Sequence, residues 1–378
     1  MKKIYLLRFL FTVLVLTVFS CSEEDDYVQV SPVVLDVSQV PYPKLSDYNF
    51  FEGDMKDQNP AYKVLPYKPA SELFSDYAQK KRFVWMPSGV KATWNGADNV
   101  MEFPIGAVLI KTFYYNDVTS FNGVNQPSGT TKLIETRLLI KHRNATPTNS
   151  GWETYDYIWN EEQTEAFRDT QGDGIFIPIT WNQSGVMKTI DYKIPAYTEC
   201  NTCHKLNPNH TSDGEIVIPI GVKPQNLNNT YNYGGSSQNQ LQRWISEGYL
   251  ESGIPTVISS TVDYKDTSKS LELRARSYID INCAHCHRDG GHCDYVNMKF
   301  NFSNTNMEDF GVCMVPLFNV ENLPFVITAG DADNSEIIYR IGSSDGSVMM
   351  PILGRTIIHE EGVALMREWI NSLPQHCE

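Results

Sequence analysis

The 378-residue sequence is short of positive charge, with 31 Lys and Arg against 45 Asp and Glu and a formal net charge of -14 at pH 7. A surface this acidic repels polyanions, which excludes nucleic acid as a partner. Long apolar runs are also missing beyond residue 20, so a bundle of membrane spans is excluded. Charged residues make up only 20% and hydrophobic residues 41%, a balance that sets aside disordered and coiled-coil chains and leaves enough apolar surface for a packed core. Histidine and cysteine are scarce, eight of each, so any clustering of the two carries information.

The one strongly apolar run is at the N-terminus. Residues 1–20, MKKIYLLRFLFTVLVLTVFS, place Lys2, Lys3 and Arg8 ahead of a short hydrophobic stretch ending at small Ser20, the layout of a secretory signal. Val18-Phe19-Ser20-Cys21 resembles a bacterial lipobox, in which Cys21 takes the lipid and becomes the mature N-terminus. An uncleaved anchor helix is the alternative, but the run is short for a span. The acidic run 22–26, SEEDD, reads as a solvated tether. The expected location is the bacterial cell envelope, lipid-anchored in the periplasm or at the outer-membrane surface.

Residues 21–45 read as a tether and residues 46–194 as a β-rich domain. Its runs RFVWM, NVMEFPIGAVLIKTFYY, KLIETRLLIKH, WETYDYIW, GIFIPITW and MKTIDYKI are separated by turn-formers such as NGVNQPSG, NATPTNSG and DTQGDG. A sandwich or meander is the expected closure. After Pro195 helical candidates take over: 238–250, 269–287 and 359–373, the last with Val363, Met366, Ile370 and Leu373 on one stripe. The expected fold is therefore α+β, with a mainly helical region holding a first site in 195–265 and a second in 266–378.

Four cysteines repeat one pattern. Cys200-Asn201-Thr202-Cys203-His204 and Cys283-Ala284-His285-Cys286-His287 both read C-x-x-C-H, the pattern of c-type haem attachment. Two thiols one helical turn apart each add to a vinyl group of one porphyrin, and the adjacent imidazole ligates the iron. One accidental match is expected in on the order of half a percent of chains with this many Cys and His, and two are far rarer. Zinc held by two C-x-x-C pairs and structural or redox disulfides are the chemical alternatives, and neither needs a histidine directly after each pair. The expected cofactors are two covalent c-type haems, with Cys200, Cys203 and His204 at one and Cys283, Cys286 and His287 at the other.

For a sixth ligand, Met349-Met350-Pro351 offers a thioether on a Met-Pro loop, and Met350 is the expected iron ligand of the second haem. The first haem has no such partner in sequence; His210 on a loop and Met187 on a strand are candidates. Cys293 and Cys313 are expected to form a structural disulfide in an oxidising compartment. His285 occupies a spacer position, and His292 and His359 lack a partner in sequence. DTQGDG falls short of a calcium loop and reads as a turn. Trp152, Trp159 and Trp181 suit a core better than a carbohydrate face.

Together, SELFSDYAQKKRFVWMPSG, EFPIGAVLIKTF, LIETRLLIKH and GWETYDYIWNEEQTEA in the first half, with YTECNTCH, QLQRWISEGYL, YIDINCAHCHRDGG, AGDADNSEIIYRI, MPILGR and HEEGVALMREWINSL in the second, resemble a family of bacterial di-haem c-type cytochrome proteins. The resemblance covers most of the mature chain and implies haem at both motifs with Met350 at the Met-Pro position. The segment 288–349, with Cys293 and Cys313, departs from it. The expected function is single-electron transfer between redox proteins of the envelope. Two alternatives stand beside it: a haem enzyme, peroxidase-like or a small-molecule oxidase or dehydrogenase, acting at an open first haem, and a surface glycan- or polymer-binding protein with accessory haems.

Overall fold

The computed structural model describes residues 29–374, apart from 147, 212 and 213, together with Cys377. The signal segment 1–20, the lipidation site Cys21 and the acidic run 22–26 lie outside the described residues. From residue 32 onward the chain forms one compact unit.

Its frame is an antiparallel sheet of eight strands: β1 (Leu65–Pro66), β2 (Gln79–Trp85), β3 (Val108–Phe121), β4 (Val124–Lys141), β5 (Trp152–Trp159), β6 (Ala166–Arg168), β7 (Ile175–Gln183) and β8 (Val186–Ile194). The order runs β8-β7-β3-β4-β5-β6, with β2 on the other part of long β3 and β1 beyond it. β3 and β4 are joined through Asn122-Gly123, both at positive φ, the two-residue turn whose twist matches that of the paired strands. Alternation then separates the faces. Val108, Ile110, Leu138 and Ile140 point into a cluster closed by Leu45, Tyr48 and Phe50 from the preceding loops. The opposite face begins with Leu109, Lys111 and Phe113 and turns toward the second half of the chain.

The second half does not form the expected cytochrome c-like helical region. Among the described residues strand accounts for 28% and helix for 17%, in six short helices, so the fold is mostly β rather than a β domain succeeded by a helical one. The helices are α1 (Tyr197–His204), α2 (Pro224–Leu227), α3 (Gln240–Ser246), α4 (Leu271–Cys283), α5 (Glu336–Ile341) and α6 (Glu360–Asn371). The physical reason lies in the connections. Between α4 and α5 the sequence is dense in Gly, Asn and Asp, which stabilise turns through positive φ and local side-chain bonds, and no helix forms over 288–335. Where an apolar stripe is sustained, as in α6, the helix forms and buries Leu365, Met366, Trp369 and Ile370 against α4.

The expected seam at Pro195 is bridged by a hydrophobic cluster that joins Leu65, Met86, Leu109 and Trp152 of the first half to Leu241 and Trp244 of α3. Trp152, Trp159 and Trp181 are all buried, so they present no aromatic face to solvent.

Candidate functional site

Both C-x-x-C-H motifs sit at helix C-termini. In α1 the first motif is wholly helical, so Cys200 and Cys203 share one face, three residues apart. The helix begins where the DTQGDG loop delivers the Gly172 carbonyl to the Tyr197 N–H at 2.9 Å. In α4 the last residue is Cys283, and the turn continues because Cys286 and His287 both donate their N–H to the Cys283 carbonyl, at 3.1 and 2.9 Å.

The two motifs meet. The Cys286 thiol lies 3.8 Å from the Thr202 carbonyl oxygen, and Asn207, just beyond α1, donates its N–H to the Gly290 carbonyl at 2.6 Å. Gly290 has φ +70° and an added Cβ there would stand 2.6 Å from the Asn207 oxygen, so this approach requires glycine. One ligand atom each of Cys203, His285 and Cys286 falls within 4.8 Å of the others. His285, at a spacer position of its motif, is thus part of the site.

Two cavities open at this junction. The first, about 300 Å³, is lined by Cys200, Cys203 and His204 of α1, by Lys111, Arg137, Leu139, Thr154 and Asp156 of the sheet, and by Arg355 and His359. The second, about 420 Å³, is lined by Cys283, Cys286 and His287 with mostly apolar neighbours, among them Val296, Phe300, Leu317, Phe318, Val326 and Ile341. Cys203, Asn282, Cys283, His285, Met350 and Pro351 line both, so the cavities share a wall.

The two candidate iron ligands are held differently. His204 donates Nδ1–H to the Ile218 carbonyl at 2.7 Å, and its own carbonyl accepts the Ile218 N–H at 2.8 Å. Burial pushes its pKa down to about 4, so the ring is neutral and presents an Nε2 lone pair. His287 is 8% exposed, packs 5.1 Å from the Phe300 ring, and has a buried Nδ1 with no hydrogen-bond partner among the described residues. Burial likewise lowers its pKa to about 4. Cys200 and Cys283 are unpaired thiols that burial raises to about 11 and about 12. Cys203 is drawn down by its hydrogen bond with Cys286, whose own thiol is raised. Four unpaired thiols and two neutral imidazoles fit two attached porphyrins in donor chemistry.

Met350 reaches the partition between the cavities, while Met349 lines neither. Its loop is pinned by Arg355, whose guanidinium donates to the Met350 carbonyl at 2.8 Å and also to the carbonyls of Arg340, Ser343 and Ile357. Met298, eleven residues after His287, also lines the second cavity; no Met-Pro signal marks it in the sequence. The two candidates for the first centre are not brought to it: Met187 is 53% exposed, and His210 pairs with Asp294 at 3.1 Å. His359 instead lines the first cavity, stacked on Phe74 at 4.1 Å with Nδ1 3.0 Å from the Tyr278 hydroxyl.

The expected Cys293–Cys313 disulfide is corrected. Cys313 is bonded to Cys377 across 64 residues, and Cys293 is a free, buried thiol. A tight turn after the second motif carries Cys293 back so that its N–H reaches the Cys286 carbonyl at 3.0 Å, whereas Cys313 is pinned through its N–H to Ile327, beside the C-terminal segment. Proximity in sequence pointed to the wrong partner.

Among the described residues no helix is long and apolar enough to cross a membrane. Comparison with protein-family models, curated proteins and solved structures found no match to this chain.

Proposed function

We infer that the protein is a di-haem c-type cytochrome that passes single electrons between redox proteins of the bacterial cell envelope, held there by a lipid on Cys21. The observation that carries this reading is the pair of adjoining cavities, one walled by Cys200 and neutral His204 and the other by Cys286 and neutral His287, with Cys203 and Cys283 lining both. Haem, when bound, supplies a one-electron couple. The chain supplies the rest: Cys200 and Cys203, and Cys283 and Cys286, fix the two rings; His204 and His287 donate nitrogen; Met350 offers a thioether at the shared wall. The acidic surface favours basic protein partners.

The test is covalent haem per polypeptide by the pyridine haemochrome assay, on protein matured with a haem-attachment system. Two per chain is the expected result; none overturns the reading.

A second reading rests on Cys203, His285 and Cys286, whose ligand atoms form a cluster suited to a soft divalent cation such as zinc. The two readings compete for the same thiols, so elemental analysis of the matured protein separates them: about one zinc and no haem would favour the metal centre.

A further inference from the structure

Strand register places three basic residues in one row across the sheet. Arg82 of β2 pairs with Lys111 of β3, Lys111 pairs with Arg137 of β4, and Arg137 pairs with Asp156 of β5. Like charges directly opposite one another destabilise a sheet, so such a row needs counterions. The outer members have them. Arg82 bonds Glu72 at 3.4 Å, and Arg137 bonds Glu135 through both oxygens, at 2.6 and 2.8 Å.

Lys111, in the middle, has no bonded counterion, only the more distant pull of Glu135, which Arg137 already holds. Among the described residues its ammonium makes no hydrogen bond or ion pair, and its contact is the face of Phe113, 4.7 Å away. Asp156 serves it poorly, because burial and the neighbouring Glu135 push that carboxyl well above its usual range. Burial, Arg82 and Arg137 press on Lys111 in the opposite sense and lower its pKa. A basic side chain with like charges on both sides, lining the cavity that holds His204, is a site for an anion that enters with the ligand and favours the charged ammonium. Arg168 at the same cavity also lacks an ion pair among the described residues and stands 5.9 Å over the Tyr155 ring.

We propose that Lys111 is a carboxylate-binding residue of the first cavity and that its partner is a propionate of the porphyrin attached at Cys200 and Cys203. The inference rests on the cytochrome reading and extends it: the sheet becomes the anion-holding wall of the first centre rather than a separate binding module. Lys111 acts as a positioning residue, through the propionate.

The experiment compares wild type, Lys111→Gln and Lys111→Arg as full chains, with haem content, redox titration and thermal unfolding measured on each. With two haems bound, Lys111→Gln is expected to lower the midpoint potential of one centre, because losing a cation stabilises the oxidised iron, and to leave the other centre unchanged; Lys111→Arg restores the potential. Unfolding gives an independent sign. In haem-free chain the glutamine variant melts higher than wild type, since an amine buried between two like charges is gone, and in haem-loaded chain it melts lower.

Unchanged potentials, or the same sign of melting shift with and without haem, would overturn the proposal while leaving the cytochrome reading intact. A low-spin to high-spin change in Lys111→Gln would overturn it in favour of direct iron ligation by the amine. Absence of haem from wild type would remove the cytochrome reading itself, and the proposal with it.

Discussion

Thr202 and Cys286, 84 residues apart, are in contact: the Cys286 sulfur lies 3.8 Å from the Thr202 carbonyl oxygen, and this contact places the two C-x-x-C-H motifs side by side. The motifs therefore do not define two separate lobes. They form one site with a shared wall, and the chemistry of each half constrains the other.

If each motif holds its own ring, the variants Cys200→Ala/Cys203→Ala and Cys283→Ala/Cys286→Ala should each halve the haem content. The pyridine haemochrome assay reads this directly, against total protein. Loss of both haems from either variant would mean that one ring depends on the other for attachment.

Met350 faces both hollows, and a thioether stabilises reduced iron more than water does. Met350→Ala should lower the potential of one centre in a redox titration. Met298→Ala provides the comparison, since Met298 lines only the second cavity; if it shifts the potential and Met350→Ala does not, the ligand assignment moves to Met298.

Closing a loop of 64 residues through Cys313 and Cys377 restricts the unfolded chain. Cys313→Ser should cost about 2–4 kcal/mol in denaturant unfolding, whereas Cys293→Ser, which breaks no bridge, should cost less. Reductant should lower the melting temperature of wild type and leave Cys313→Ser unmoved.

His359 is 6% exposed, and burial lowers its pKa to about 4 against a usual value of 6.5. A group depressed on folding by burial of its neutral form contributes stability that is present above its unfolded pKa and is lost as pH falls toward the folded one. Acidification from about pH 6.5 to 4 should therefore cost about 3 kcal/mol through this residue. His359→Phe should flatten that part of the stability profile; an equally steep acid limb in the variant would place the loss elsewhere.

The junction between the motifs tolerates no side chain at Gly290, where positive φ and the Asn207 carbonyl both oppose one. Gly290→Ala should destabilise the fold by about 1–3 kcal/mol. The adjacent Asp289 is exposed and paired with Lys299, so Asp289→Ala serves as the control and should be nearly neutral in the same denaturant titration.

The donor groups of the site were legible because their spacing is local. C-x-x-C-H puts two thiols and an imidazole on one helical turn whatever surrounds them, and the strand runs and the stripe of α6 likewise follow from backbone period alone. Non-local facts were not legible. Six short helices separated by turn-rich segments do not make a helical domain, and a cysteine's partner depends on where the chain returns, so a helical second half and a Cys293–Cys313 bridge were the wrong expectations. The apposition of the motifs, the arrival of His285 and Met298 at the site, and the row Arg82–Lys111–Arg137 come from strand register and loop docking, which bring together residues far apart in the chain. Local covalent spacing was set by the sequence itself; which side chains share a cavity, and which charges go unpaired there, only tertiary packing decided.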